Sequence, residues 1–124
     1  MIKNQVNAYQ VAQRQNMTPR EAEAMAFTKA AQMLDDAQRN ASDQALFSQA
    51  LRFNNLLWTI MQADITGPEN KLPNEIKANI MSLSIFVDKQ TAKAVRSKDT
   101  EDLSILITIN RNLAMGLRET PPAP

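Results

Sequence analysis

Apolar residues recur at i, i+3, i+4 and i+7 along four stretches of the chain, separated by short polar breaks. The clearest stretch runs from Leu46 to Ile65. Leu46, Phe47, Ala50, Phe53, Leu57, Trp58 and Met61 fall on one broad face there, with Ile65 at its edge and one polar residue, Asn54, inside it. The segment holds the only Trp and two of the four Phe. Buried aromatics of this kind remove roughly 150–250 Å² each from water. A face this wide touches two neighbours at once, so this helix is expected to be the hub of the fold.

The stretch before it opens at Thr18-Pro19-Arg20-Glu21, where Thr caps, Pro takes the first helical position and Glu21 completes a capping box. That helix is predicted to reach about Arg39, with Ala22, Ala26, Ala30, Met33 and Ala37 inward and Phe27 and Leu34 flanking. Asn40-Ala41-Ser42-Asp43 is a short break, with Ser42 or Asn40 as cap, and makes the first two helices antiparallel neighbours. Thr66-Gly67-Pro68 stops the hub helix. A third helix is predicted from Leu72-Pro73-Asn74 to about Arg96, with Ile76, Ile80, Leu83 and Val87 on one face and Phe86 bordering it. A second stripe, Ala78, Met81, Ile85 and Ala92, lies roughly opposite, so this helix is either sandwiched in the bundle or offers one side to a partner; the sandwich is the favoured reading. After Ser97-Lys98-Asp99-Thr100, a fourth helix turns Leu103, Leu106, Ile107, Leu113, Ala114 and Leu117 inward around Asn110. Ile105 and Ile109 form an i, i+4 pair off that face.

The expected fold is therefore all-α: a compact bundle of four main helices over 17–119, a short N-terminal arm or helix over 1–16 that packs through Tyr9, and a disordered Pro-rich tail over 120–124. Composition agrees: 124 residues suit one domain, and only two Gly occur.

Charge and chemistry-bearing residues narrow the function. Fourteen basic and 13 acidic residues leave a net charge of +1, without a long-range pull toward nucleic acid or an anionic membrane. Cys and His are both absent, which removes thiol chemistry, the commonest general base and the commonest metal ligand. The two Gly stand alone at 67 and 116, so no phosphate-binding loop is present, and no pair of carboxylates is nominated for acid–base work. Neither an enzyme, nor a cofactor, nor a metal site is expected. No secretory leader or membrane-spanning run is seen, which points to a cytoplasmic protein with no membrane insertion. Lys89, Lys93 and Arg96 share one side of the third helix and Lys98 follows, but no aromatic residue interleaves to stack on bases, so RNA is not expected to be bound directly.

Two kinds of residue carry the remaining signal. Asn54 and Asn110 each lie mid-face on an otherwise apolar stripe, where an unpaired amide costs about 1–3 kcal/mol. A register-fixing pair inside the bundle is the favoured reading, with contact to a docked partner as the alternative. Met25, Met33 and Met61 suit inner faces, whereas Met81 and Met115 suit a partner surface. Met81, Ile85, Ile105 and Ile109, with Tyr9 of the arm, are the candidate partner-binding residues.

Several segments taken in order carry a family resemblance. They are Asn7-Ala8-Tyr9, Thr18 to Glu21 with the Ala-rich helix after it, and Ala50-Leu-Arg-Phe-Asn54-Asn-Leu-Leu-Trp58-Thr59. Leu72-Pro73 with Glu75-Ile76 and Asn79-Ile80 follows, then Leu83-Ser-Ile-Phe86-Val87, and last Ile107-Thr-Ile-Asn110-Arg111-Asn-Leu-Ala-Met-Gly116-Leu117. Together they resemble the FlaF family of flagellar biosynthesis proteins of alphaproteobacteria. No single motif is specific, but the series spans nearly the whole chain. Asn55 departs from the basic residue usual there, and the Pro-rich tail is peculiar to this chain. The resemblance implies a small cytoplasmic protein needed for flagellin production and export, viewed as a flagellin secretion chaperone. It also implies action opposite to FlbT, a post-transcriptional repressor of flagellin synthesis. Amphipathic helical segments of flagellin are the implied partner, with FlbT and flagellin mRNA as the route of the alternative, regulatory reading.

Overall fold

A computed structural model describes residues 17–119. The N-terminal arm with Tyr9 and the Pro-rich tail lie outside the described residues. Four α-helices follow one another: α1 (Pro19–Arg39), α2 (Gln44–Thr66), α3 (Asn74–Ser97) and α4 (Ser104–Glu119), with a 3-10 turn at Thr100–Leu103 leading into α4. The described residues contain no strand.

Local chemistry sets the ends. Thr18 Oγ1 accepts the Glu21 N–H at 3.1 Å and Pro19 occupies the first helical position of α1. Asp43, rather than Ser42 or Asn40, caps α2, its carboxylate accepting the Leu46 N–H at 3.1 Å. Asn40 instead closes α1, its backbone N–H and its side chain both bonding Asp36 O. Lys98 ends α3 in the left-handed region at φ 55°, an unusual conformation for a residue with a Cβ. Asp99 then caps the 3-10 turn through the Glu101 N–H at 2.9 Å.

Pairs of named residues fix the topology. Gln38 donates to Thr100 O and Ser104 Oγ near the C-terminal end of α1, and Arg118 from the far end of α4 donates to Thr28 Oγ1 nearly three turns earlier on α1, so α1 and α4 run antiparallel. Phe27 of α1 meets Trp58 of α2 edge to face, with ring centroids 5.2 Å apart and planes at 72°. Lys29 Nζ sits 5.7 Å over the Phe53 ring. Gln62 of α2 reaches Ser84 of α3 in a close contact, and Asp88 at 3.4 Å.

The core belongs chiefly to α1, α2 and α4. Phe27, Leu34, Trp58 and Leu106 are fully buried, and so is Leu103 of the turn. The small residues Ala24, Ala30, Ala31 and Ala37 of α1 are buried too, which lets α4 approach closely. The inner face of α1 is thus turned from the expected one. Phe27 and Leu34 lie at its centre, while Ala26 and Met33 are only partly buried. Phe and Leu remove more area from water than Ala, and they claim the centre.

α3 adds Ile80, Val87 and Ala94 to that core from one side. It packs mainly on α2 and on the 3-10 turn. Its buried residues are Ile80, Ser84, Val87, Thr91 and Ala94, a single stripe. The sandwich expected for α3 is not what forms. Ala78, Ile85 and Ala92 of its second stripe face solvent, and Met81 is half-buried.

Candidate functional site

Two features stand out: a buried polar chain at the centre of the bundle and a set of exposed apolar side chains on its outside.

The polar chain begins at Trp58. An indole N–H donates and never accepts, and here it points at Asn110 Oδ1 at 2.9 Å. That orientation turns Asn110 Nδ2 toward Asn54, which accepts it through Oδ1 at 2.6 Å. The direction of the chain is therefore forced from the indole outward. It leaves the Asn54 Nδ2 amine at its end without a hydrogen-bond partner. Trp58, Asn110 and Asn54 are all fully buried. The pair joins α2 to α4, and both side chains lie inside the bundle, not on its surface. The missing element in the sequence reading was Trp58, whose polar edge is what orients the pair.

Ile85 and Ile105 of the candidate partner-binding residues are exposed, at 53% and 40%. Met81 is half-buried and packs against the core. Ile109 corrects the expectation: it is only 9% exposed and belongs to the core. Tyr9 lies outside the described residues. Met115 is exposed as expected, on the solvent face of α4. The expected face uniting Ile85 with Ile105 and Ile109 therefore loses Ile109. The two exposed isoleucines sit on separate helices, α3 and α4, each of which packs against the 3-10 turn.

Phe86, placed at the border of the inner face by the sequence, is 44% exposed. Leu56 and Ile60 on α2 are exposed as well. Spacing alone did not reveal these, because Phe86 is one residue from Val87 and the two differ by 100° around the helix. Of the helices, α3 combines an aromatic and a branched aliphatic side chain, adjacent in sequence and both turned outward. Large apolar groups left outside a well-packed core mark interaction surfaces when they cluster.

A recess of about 850 Å³ opens where the ends of α1, α2 and α4 meet the α2–α3 loop, lined by Thr18, Pro19, Glu23, Asp64, Leu72 and Leu117 among others. Burial, then the nearby Asp64 charge and a hydrogen bond with Asp64, raises the Glu23 pKa from 4.5 to about 7, against the lowering pull of Arg20. Asn70 donates to Asp64 at 3.0 Å from the loop. Among the described residues, no group of three or more acidic, His or Cys side chains is placed to hold a metal ion. No helix among them is long and apolar enough to cross a membrane.

The family profile of flagellar protein FlaF matches residues 5–117. The chain belongs to the FlaF family. That match covers the hub helix, both buried asparagines and all of α3, so the features described above fall within the FlaF region. It gives the chain a flagellar role. No curated protein and no solved structure matches the chain.

Proposed function

We propose that the chain is a noncatalytic flagellar assembly factor that binds flagellin in the cytoplasm as a secretion chaperone and promotes flagellin synthesis and export. The observation that carries this reading is the outward placement of Ile85 and Phe86 on α3, a helix held to the bundle by one face only. An amphipathic helix of flagellin laid on such a surface is kept from premature assembly with other flagellin chains. Membership of a flagellar family supports the choice of partner. The buried Asn54, Asn110 and Trp58 give the receiving bundle a fixed register.

The test is to mix the purified protein with flagellin of its own organism and measure complex mass by size exclusion with light scattering at low and moderate salt. A complex of defined stoichiometry that survives the higher salt supports the chaperone reading. Ile85→Glu then abolishes it while circular dichroism stays unchanged, because the side chain is outside the core. Absence of a complex at micromolar concentrations moves the weight to the second reading, regulation of flagellin synthesis with FlbT and flagellin mRNA. The exposed Lys89, Lys93, Arg96 and Lys98 favour that second reading, and RNA contact through them weakens steeply with salt.

A further inference from the structure

The outer face of α3 carries two kinds of side chain in sequence. Ile85 and Phe86 come first, and Lys89, Lys93 and Arg96 follow at one-turn steps toward the C-terminus, all of them exposed. Like charges at i, i+4 work against a free helix. Favourable interaction with the helix dipole covers only the last turn, where Arg96 lies, and does not reach Lys89. Lys93 has one carboxylate nearby, Asp102 at 3.6 Å, and its side chain remains 60% exposed. Asp88, one residue before Lys89, turns toward Gln62 on α2. The row thus presents more positive charge outward than the protein itself answers, directly beside the exposed apolar pair.

We infer that the outer face of α3 is a docking strip for an acidic amphipathic helix of a protein partner. Ile85 and Phe86 take its apolar residues, and Lys89, Lys93 and Arg96 take carboxylates one to three turns further along. The inference rests on the flagellin-binding reading and adds the face, the chemistry and the direction. The acidic end of the partner helix lies over the C-terminal half of α3. Its apolar anchors lie over the middle. A protein helix fits better than RNA, because the only aromatic on the strip is paired with an aliphatic side chain and does not alternate with the cations.

The experiment titrates the full chain with flagellin of its own organism by calorimetry, comparing wild type with I85S/F86S, K89E/K93E, the milder K89Q/K93Q, and L56S on α2 as a surface control. Both α3 apolar and charge-reversal variants are expected to raise Kd at least tenfold, with the neutral pair intermediate, L56S within twofold, and the urea midpoint unchanged throughout. Wild-type affinity is expected to fall several-fold between 0.05 and 0.5 M salt through the charged half of the strip, while the apolar half keeps the complex measurable at the higher salt. Binding by the α3 variants within twofold of wild type overturns the strip and leaves the chaperone reading standing. Failure of wild type itself to bind overturns the chaperone reading and the strip together. A 20-nucleotide single-stranded RNA that binds wild type and is lost in K89E/K93E, with flagellin binding intact, assigns the basic row to RNA and also overturns the strip.

Discussion

Replacing Asn110 by Ala removes the middle of the polar chain. Trp58 Nε1 loses its acceptor and Asn54 Oδ1 loses its donor in the same step, and both are fully buried. Each orphaned group costs about 1–3 kcal/mol, so the pair costs about 2–6 kcal/mol, before any contribution from the space vacated. Domains of this size are stable by about 5–15 kcal/mol, so the loss is a large part of the whole. Asn54→Ala costs less. It strands one amine, Asn110 Nδ2, but also deletes the Asn54 amine that has no partner already. A single Trp makes the assay direct, since Trp58 fluorescence reports its own burial. With a urea slope of about 1–2 kcal/mol per M for a chain of this length, the Asn110→Ala midpoint falls by at least about 1 M.

The double variant separates coupling from simple loss. Once Asn110 is gone, Asn54 has nothing left to bond, so Asn54→Ala in that background costs little. The interaction energy of the cycle is then about 1–2 kcal/mol, within the range for residues in contact. An Asn110→Ala loss below about 1 kcal/mol, or additive costs in the double variant, refutes the hydrogen-bonded chain as a source of stability.

The remaining predictions use the same material. Ile109→Ser lowers stability by about 2 kcal/mol or more, as a large-to-small change with a hydroxyl in the core should, while Ile105→Ser leaves the unfolding free energy within about 0.5 kcal/mol of wild type in urea titrations. Equal effects at the two positions would mean that α4 is rotated from the placement described. Because the folded Glu23 pKa lies above its ordinary value, the folded state keeps a proton that the unfolded chain has released. Stability is therefore full below about 4.5 and falls as pH rises toward about 7, then levels off. Glu23→Gln flattens that slope in urea midpoints measured from pH 4 to 8, and an unchanged slope removes Glu23 as its cause.

The helices and most of the core were legible in the sequence, for reasons that particular residues make plain. Thr18, Pro19 and Gly67 mark ends by their own backbone chemistry, and the stripe from Phe47 to Ile65 is buried as its period requires. What was not legible depends on how deep one helix sinks into another. Ile109 looks like a surface residue from its angle on α4, yet it is buried with the core, so the covered part of α4 is wider than its large apolar stripe alone indicates. The buried stripe of α3 contains Ser84, Thr91 and Ala94, which a search for large apolar residues passes over. Asn54 and Asn110 were recognisable as buried polar residues, but their direct bond and the bond of Trp58 to Asn110 join positions 56 and 52 residues apart and need coordinates.

The two features differ in what they leave unsatisfied. Between α2 and α4 the hydrogen-bonded chain runs in one direction from an obligate donor, so sliding either helix by a turn breaks both bonds at once. The α3 interface is pinned by separate bonds instead, among them Gln90 donating to Asp102 O at 2.9 Å. Gln62, which bridges it to Ser84 and Asp88, lies at its edge, and Thr91 Oγ1 is buried there without a hydrogen-bond partner. α3 is held from one side, by Ile80 and Val87 together with Ser84, Thr91 and Ala94. The exposed Ile85 and Phe86 stand on the other side of that helix. A helix docked on that outer side would therefore meet α3 alone and leave the packed asparagines between α2 and α4 untouched.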